Sequence, residues 1–158
     1  SLRRQRQMCI RDSVMRMESG FLHWGHDISP EENQFEAGLN FAISFKKEAN
    51  FIGKEQLTKY RDKKPKKRFI MLSLKNNNPG QPLLLHEEPI YLDDKIIGRT
   101  TSGNYSFNYN KNLSFGYVSS NYSNHELSSK NLYIEVAKCK YPVNVELHPL
   151  KSSKIRHS

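Results

Sequence analysis

The 158-residue sequence is poor in cysteine and tryptophan, with two of the first and one of the second. Cys9 and Cys139 form no CxxC pair and no even-numbered framework, which excludes a disulfide scaffold and makes a reducing, cytoplasmic compartment the expected setting. No apolar run approaches the roughly 18 residues of a membrane span, so neither a membrane nor an anchoring segment is expected. A GxGxxG turn, a P-loop, a GxSxG elbow and an HExxH pair are all missing. Their absence removes a dinucleotide fold, an NTPase, a serine hydrolase and a zincin from this stretch. Three Asn-x-Ser triplets, beginning at Asn104, Asn112 and Asn121, arise easily in a chain this rich in both residues.

What is present suffices for one ordinary domain, or a small domain with part of another. Hydrophobic residues make up 36% and aromatics 11%, enough for a packed core. The formal net charge of +9 raises the question of nucleic acid. The excess is clustered, however. Arg3, Arg4, Arg6 and Arg11 against Asp12 supply +3 of it. Lys63, Lys64, Lys66, Lys67 and Arg68 supply most of the remaining +6.

The stretch RRQRQMCIRDS, residues 3–13, reads in three ways. As chemistry it is a cationic arm that could hold phosphates by counterion release. As a targeting segment it lacks both the apolar core of a secretory signal and the Ser-rich amphipathic pattern of a transit peptide. As translated DNA it resembles a transposase-type sequencing-library adapter, matched from Arg3 through Ser13 without a break. The third reading is taken, so residues 1–13 are set aside as an artefact. The authentic protein is expected to extend upstream of Val14.

From Val14 the pattern divides. Ser29, Pro30 and Glu32 carry the signature of a capping box, predicting a short helix that Gly38 interrupts. Leu39, Phe41, Ile43 and Phe45 alternate with small or polar residues and predict a strand. Gly53 to Tyr60 predicts a helix. Lys63 to Arg68 reads as a basic linker, with a phosphate-binding or nuclear-localisation patch as the alternative. Strands are predicted at Phe69–Leu74, Pro89–Leu92, Lys95–Gly98, Leu113–Ser119, Leu132–Val136 and Tyr141–Leu147, with a turn at Asp93-Asp94 and a polar loop to Ser129. Thr100 to Ser106 reads as a hairpin corner or a ligand-facing loop. Short strands at this spacing suggest a small antiparallel barrel or sandwich. His23, His26 and Asp27 are metal-ligand types, but no third cluster stands at ligand spacing. Residue chemistry alone reaches part of a ligand-binding α+β protein with a β-rich C-terminal region.

An ordered series of motifs goes further. It runs R-M-E-x-G-F-x-x-W-G (Arg16 to Gly25), E-A-G-L (Glu36 to Leu39), F-I-G-K-E-x-L (Phe51 to Leu57), the basic pair Lys67-Arg68, D-x-K-I-I-G-x-T-T-S-G-x-Y-S (from Asp93 or Asp94 to Ser106) and L-S-F-x-Y-V (Leu113 to Val118). This series resembles the C-terminal, tetrahydrofolate-binding region of the dimethylglycine and sarcosine dehydrogenases. That region is homologous to the glycine-cleavage aminomethyltransferase. The resemblance covers about Met15 to Leu150.

The resemblance implies an α+β chain in which residues 14–62 end an aminomethyltransferase-type folate-binding domain. A linker at 63–68, a small antiparallel β-barrel at 69–150 and a tail at 151–158 complete it. It implies tetrahydrofolate as cofactor here, with FAD in a domain upstream that oxidises a small methylated amine to an iminium. The one-carbon unit would leave as 5,10-methylenetetrahydrofolate. The family's catalytic aspartate falls outside this sequence, so no catalytic residue is assigned and the chain alone is expected to be inactive. Phe41 matches the folate-stacking aromatic two residues after the E-A-G-L leucine, where the dehydrogenases often carry tyrosine; it keeps the ring face and loses the hydroxyl. Arg16 could meet a folate carboxylate or pair structurally with Glu18 or Glu36, and the structural role is favoured. Trp24 and Tyr105 are further candidates for the cavity wall. The HWG and TTSGNYS forms favour the dehydrogenase branch. A fragment of an aminomethyltransferase is the rival reading, and a basic nucleic-acid-binding protein the reading from another class.

Overall fold

The computed structural model describes residues 13–47, 50–76 and 78–150. The cationic stretch at 3–12 and the tail at 151–158 therefore lie outside the described residues. Six antiparallel strands close into a barrel: β1 (Lys67–Leu74), β2 (Pro89–Leu92), β3 (Lys95–Ser106), β4 (Lys111–Ser119), β5 (Leu132–Val136) and β6 (Cys139–Glu146). Around the barrel the order is β1-β4-β3-β2-β5-β6, and β6 returns to β1 through Leu72↔Val145 and its neighbours. Full closure leaves no edge strand exposed.

Period-two alternation sorts the side chains. Ile70, Leu72 and Leu74 point inward with Ile90, Leu92, Val118, Leu132, Ile134 and Val143. Met71, Leu113 and Phe115 form a second cluster with Met17. β1 and β4 are thus buried on both faces, which in β1 accounts for the apolar run from Phe69 to Leu72. The outer face is covered by the chain that precedes the barrel. There residues 13–18 form a helix, α1, and α2 spans Lys54–Arg61. Glycine permits a close approach of β4 to β3. A Cβ on Gly116 would lie 2.6 Å from the Arg99 carbonyl oxygen.

The preceding chain is clasped to the barrel by buried carboxylates. Asp27 is 1% exposed. One carboxylate oxygen accepts from Arg16 Nη1 and from the His23 amide at 2.8 Å. The other accepts from Thr101 Oγ1 at 2.7 Å and Ser102 Oγ at 2.6 Å. Adjacent strand residues normally face opposite sides. Here the register of β3 against β4 shifts between Thr100 and Ser102, and such a bulge brings both hydroxyls to one carboxylate. Tyr117 adds a hydrogen bond from its hydroxyl to the Asp27 carbonyl at 2.8 Å. Glu18 is held by Ser106 Oγ at 2.6 Å and Asn108 Nδ2 at 3.0 Å.

All six predicted strands form, and four other expectations are corrected. Thr100 to Ser106 continues β3 rather than turning a corner, because its residues pair with β4 as far as Ser106↔Lys111. The loop leading to Ser129 contains α3 (Asn124–Ser129), started by a reciprocal Ser123–Glu126 capping box and anchored by buried Leu127. Leu39 to Phe45 is not a strand: Asn40–Ala42 forms a 3-10 turn, since no strand among the described residues lies alongside to pair with it. The helix expected after Ser29 is replaced by turns. The Ser29 amide and hydroxyl do donate to Glu32 Oε2 at 2.8 and 2.6 Å. Glu32 also binds Lys67 Nζ at 2.5 Å, which ties it to the barrel.

Gly116→Val is expected to cost about 2–3 kcal/mol through overpacking, read as a lowered urea midpoint with an unchanged slope. Asp27→Ala strands the Arg16 cation and is expected to cost about 3–5 kcal/mol. Burial pushes the Asp27 carboxyl up, but the bonds from Ser102, Thr101 and His23 and the Arg16 charge together hold it below its ordinary value. A depressed carboxyl gives stability that is whole above the unfolded value of ~3.9 and lost as pH falls through the folded one. Urea midpoints across pH 3–7 are therefore expected to drop below about pH 4 in the parent and to drop less in Asp27→Asn.

Candidate functional site

A groove of about 650 Å³ runs along the seam between the preceding chain and the barrel. Gly20 to Leu22 and Ala37 to Leu39 form one wall, and the ends of β1 and β6 form the other. Phe69 and Phe115 make its aromatic floor, in edge contact with centroids 5.0 Å apart. Phe41, carried on the 3-10 turn, stands at the mouth and is 77% exposed. The segment is pinned nearby by the Phe69 amide, which donates to the Glu36 carbonyl at 2.8 Å.

The polar groups of the groove come from the barrel side. Arg68 Nη1 donates to Asn124 Oδ1 at 2.5 Å. Its Nε and Nη2 are cut off from solvent and have no hydrogen-bond partner among the described residues. Desolvation lowers the guanidinium below its ordinary pKa. Glu146 accepts from Ser73 Oγ at 2.5 Å and Lys111 Nζ at 2.8 Å. Burial raises its pKa and these two donors more than offset the rise, so it stays an anion at neutral pH. His148 completes the polar rim. An aromatic floor with one cation, one anion and an imidazole suits binding a flat, partly polar ligand.

The four residues named from the sequence do not converge. Phe41 lines the groove. Arg16 lies on another face, beside a shallow hollow of about 250 Å³ with His23, His26 and His86. It is committed to Asp27, Ser102 and the Phe21 carbonyl. Its ion-pair partner is thus Asp27 rather than Glu18 or Glu36; Glu18, two residues along the same helix, faces a different direction. Trp24 is 67% exposed and lines neither the groove nor the hollow. Tyr105 packs edge-on against Phe107 at 4.9 Å. Sequence reasoning missed Asn124, Glu146 and His148, and took Arg68 as part of a basic linker rather than of the groove. The signal for Arg68 was its place in KRFIMLSL, a charge directly before the apolar run Phe69 to Leu72. No group of three metal-ligating side chains occurs among the described residues.

Residues 67–151 match the family model described as the glycine cleavage T-protein C-terminal barrel domain. Dimethylglycine dehydrogenase, mitochondrial, of Rattus norvegicus is 33% identical over 140 residues, covering 87% of this chain and 15% of the relative. An aminomethyltransferase of Listeria welshimeri is 34% identical over 110 residues, covering 70% of this chain and 29% of that one. The structure of glycine cleavage system aminomethyltransferase T from Bartonella henselae superposes with a TM-score of 0.75 at 20% identity, over 88% of this chain and 37% of that chain. The chain spans a minor part of the length of each of these proteins. With its closed six-stranded barrel and its alignment to both enzyme groups, the chain belongs to the glycine cleavage T-protein C-terminal barrel family.

Proposed function

We propose that this chain is the C-terminal, tetrahydrofolate-binding part of a longer flavoprotein dehydrogenase acting on small N-methylated amines of the dimethylglycine or sarcosine type. The observation that carries the reading is Phe41, an exposed ring at the mouth of a 650 Å³ groove floored by aromatics. An aromatic ring in that place suits stacking on a flat heterocycle. The amide of Asn124, the imidazole of His148 and the Glu146 carboxylate offer donors and acceptors for its polar edge. Bound tetrahydrofolate would supply the amines that take up a one-carbon unit, leaving as 5,10-methylenetetrahydrofolate.

In this reading Phe41 stacks and Arg16 holds the site's supporting loop through Asp27. Trp24 and Tyr105 stand on surfaces that the longer protein could turn towards the ligand. Flavin and the amine or its iminium belong to the remainder of that protein, since this sequence contains no glycine-rich dinucleotide fingerprint. The alignment with the rat dehydrogenase covers more of this chain than that with the Listeria aminomethyltransferase, which supports the dehydrogenase branch. The second reading, an aminomethyltransferase part without flavin, rests on that shorter alignment. The exposed free thiol of Cys139 suits a reducing compartment such as the cytoplasm. No described helix is long and apolar enough to cross a membrane.

The test is a titration of 5-formyltetrahydrofolate into the longer protein, followed by tryptophan fluorescence or calorimetry. Phe41→Ala is expected to weaken binding about 5- to 150-fold, the equivalent of about 1–3 kcal/mol of ring stacking. Phe41→Tyr is expected to bind at least as well as the parent. Unchanged affinity in Phe41→Ala would overturn the assignment of this ring. A flavin absorption band in the purified longer protein separates the dehydrogenase from the aminomethyltransferase. The 158-residue chain alone is expected to show no demethylation.

A further inference from the structure

Three of the six histidines meet at one place away from the groove. His23, His26 and His86 stand with Arg16, Thr101 and Ser102 around the hollow of about 250 Å³. All three are exposed, and none of their ring nitrogens makes a hydrogen bond among the described residues. Single surface histidines are ordinary. Here they come from two separate loops and share a hollow with one fixed cation. Among the described residues, no acidic side chain lines it.

Both loops are held by the β3 bulge and its neighbours. The His23 carbonyl accepts from the Asp27 amide at 2.9 Å, and the Asp27 carboxylate is bound by Thr101 and Ser102. The His23 and His26 rings have centroids 4.8 Å apart, so one small ligand can touch both. On the other loop, the Leu85 amide donates to Glu88 Oε1 at 2.8 Å and the Glu87 amide to the Thr100 carbonyl at 2.8 Å. The chain is thus tied on both sides of His86. Donors fixed before a ligand arrives cost little to order.

Charge decides what such a hollow can hold. Both carboxylate oxygens of Asp27 are occupied by Arg16, the His23 amide, Thr101 and Ser102. A guanidinium has five N–H groups. Arg16 spends two on Asp27 and the Phe21 carbonyl and one on Ser102. Its Nε makes no hydrogen bond among the described residues and is open to solvent. The acidic residues next to His86 are committed elsewhere, Glu88 to Leu85 and Thr100, and Glu87 to Arg99 at 3.3 Å. A metal dication would be repelled by Arg16. A dianion instead meets a cation and imidazoles that donate from both nitrogens once protonated. These groups reach the hollow from α1, from two loops and from β3. A tetrahedral dianion presents oxygens in as many directions, which a planar carboxylate does not.

We propose that this hollow binds a tetrahedral oxyanion, phosphate free or as a monoester, between Arg16 and the imidazoles of His23, His26 and His86. The site lies on a different face from the groove and does not rest on the folate reading. Binding strengthens as the imidazoles gain protons.

The experiment is equilibrium dialysis of radiolabelled sulfate against the longer protein. Sulfate stays a dianion across the pH range used, so any change with pH reports on the protein. A saturable site is expected, at least about 10-fold tighter at about pH 6 than at about pH 8. His86→Ala, and His23→Ala combined with His26→Ala, are each expected to weaken it about 10-fold or more at the lower pH. Their thermal midpoints are expected to match the parent, because these side chains are exposed. His125→Ala, an exposed histidine on α3, is expected to bind sulfate as the parent does. Equal affinity in the parent and the hollow's histidine variants would overturn the proposal. So would uptake that never saturates, the mark of an adventitious ion only. Inorganic phosphate and methyl phosphate are then competed against the sulfate. The one that displaces it at lower concentration tells a free phosphate from a monoester, and displacement by neither sinks the site.

Discussion

The Asp27 carboxylate is the contact on which the arrangement of this chain depends. It is fully buried, and it joins three segments: the helix bearing Arg16, its own loop through the His23 amide, and the β3 bulge through Thr101 and Ser102. An isolated carboxylate in such a place would be prohibitively desolvated, and so would Arg16 beside it. Each group is tolerable because the other is there and every oxygen is satisfied. That requirement fixes the angle at which the preceding chain meets the barrel. It thereby sets the wall of the groove in which Phe41 stands.

A second constraint works with it. β1 and β4 carry apolar residues on both faces, so the barrel has a core inside and an apolar surface outside. The outer surface must be covered, and Met17, Leu22 and Leu150 do so. The candidate site lies where that cover ends, at the seam beside Phe69 and Arg68. This explains its mixed chemistry. Its aromatic floor is the margin of a packed cluster, and Arg68 at the start of β1 has not found a full set of partners among the described residues.

Much of the barrel was legible because period-two alternation and the turn at Asp93-Asp94 are local signals that barrel closure does not override. The bulge in β3 was not legible. TTSGNYS has the composition of a turn, and only pairing with β4 makes it a strand. The two Ser-x-x-Glu motifs are instructive together. At Ser123 the box starts a helix, because Leu127 gives that helix a place in the core. At Ser29 the amide and hydroxyl likewise donate to Glu32, but the hydroxyl accepts from the Glu31 amide and no helix follows, because Glu32 is drawn to Lys67 from β1. A capping box signals a local hydrogen-bond pattern, and packing decides whether a helix grows from it.

The site divides along the same line. The sequence by itself determined six short strands of a small antiparallel barrel or sandwich, through alternating apolar residues whose burial on the inner face leaves one register open. It also singled out Phe41 and Arg16 as residues worth pursuing. Which of them shares a cavity was decided by tertiary structure alone. Phe41 reached the groove because the Glu36 carbonyl is held by the Phe69 amide. Arg16 was drawn away because Asp27, eleven residues on, needed a cation in a buried place. Arg68 acquired meaning only when folding removed it from water without giving two of its nitrogens a partner among the described residues. Periodicity is written along the chain, whereas desolvation and pairing depend on neighbours that only folding brings together.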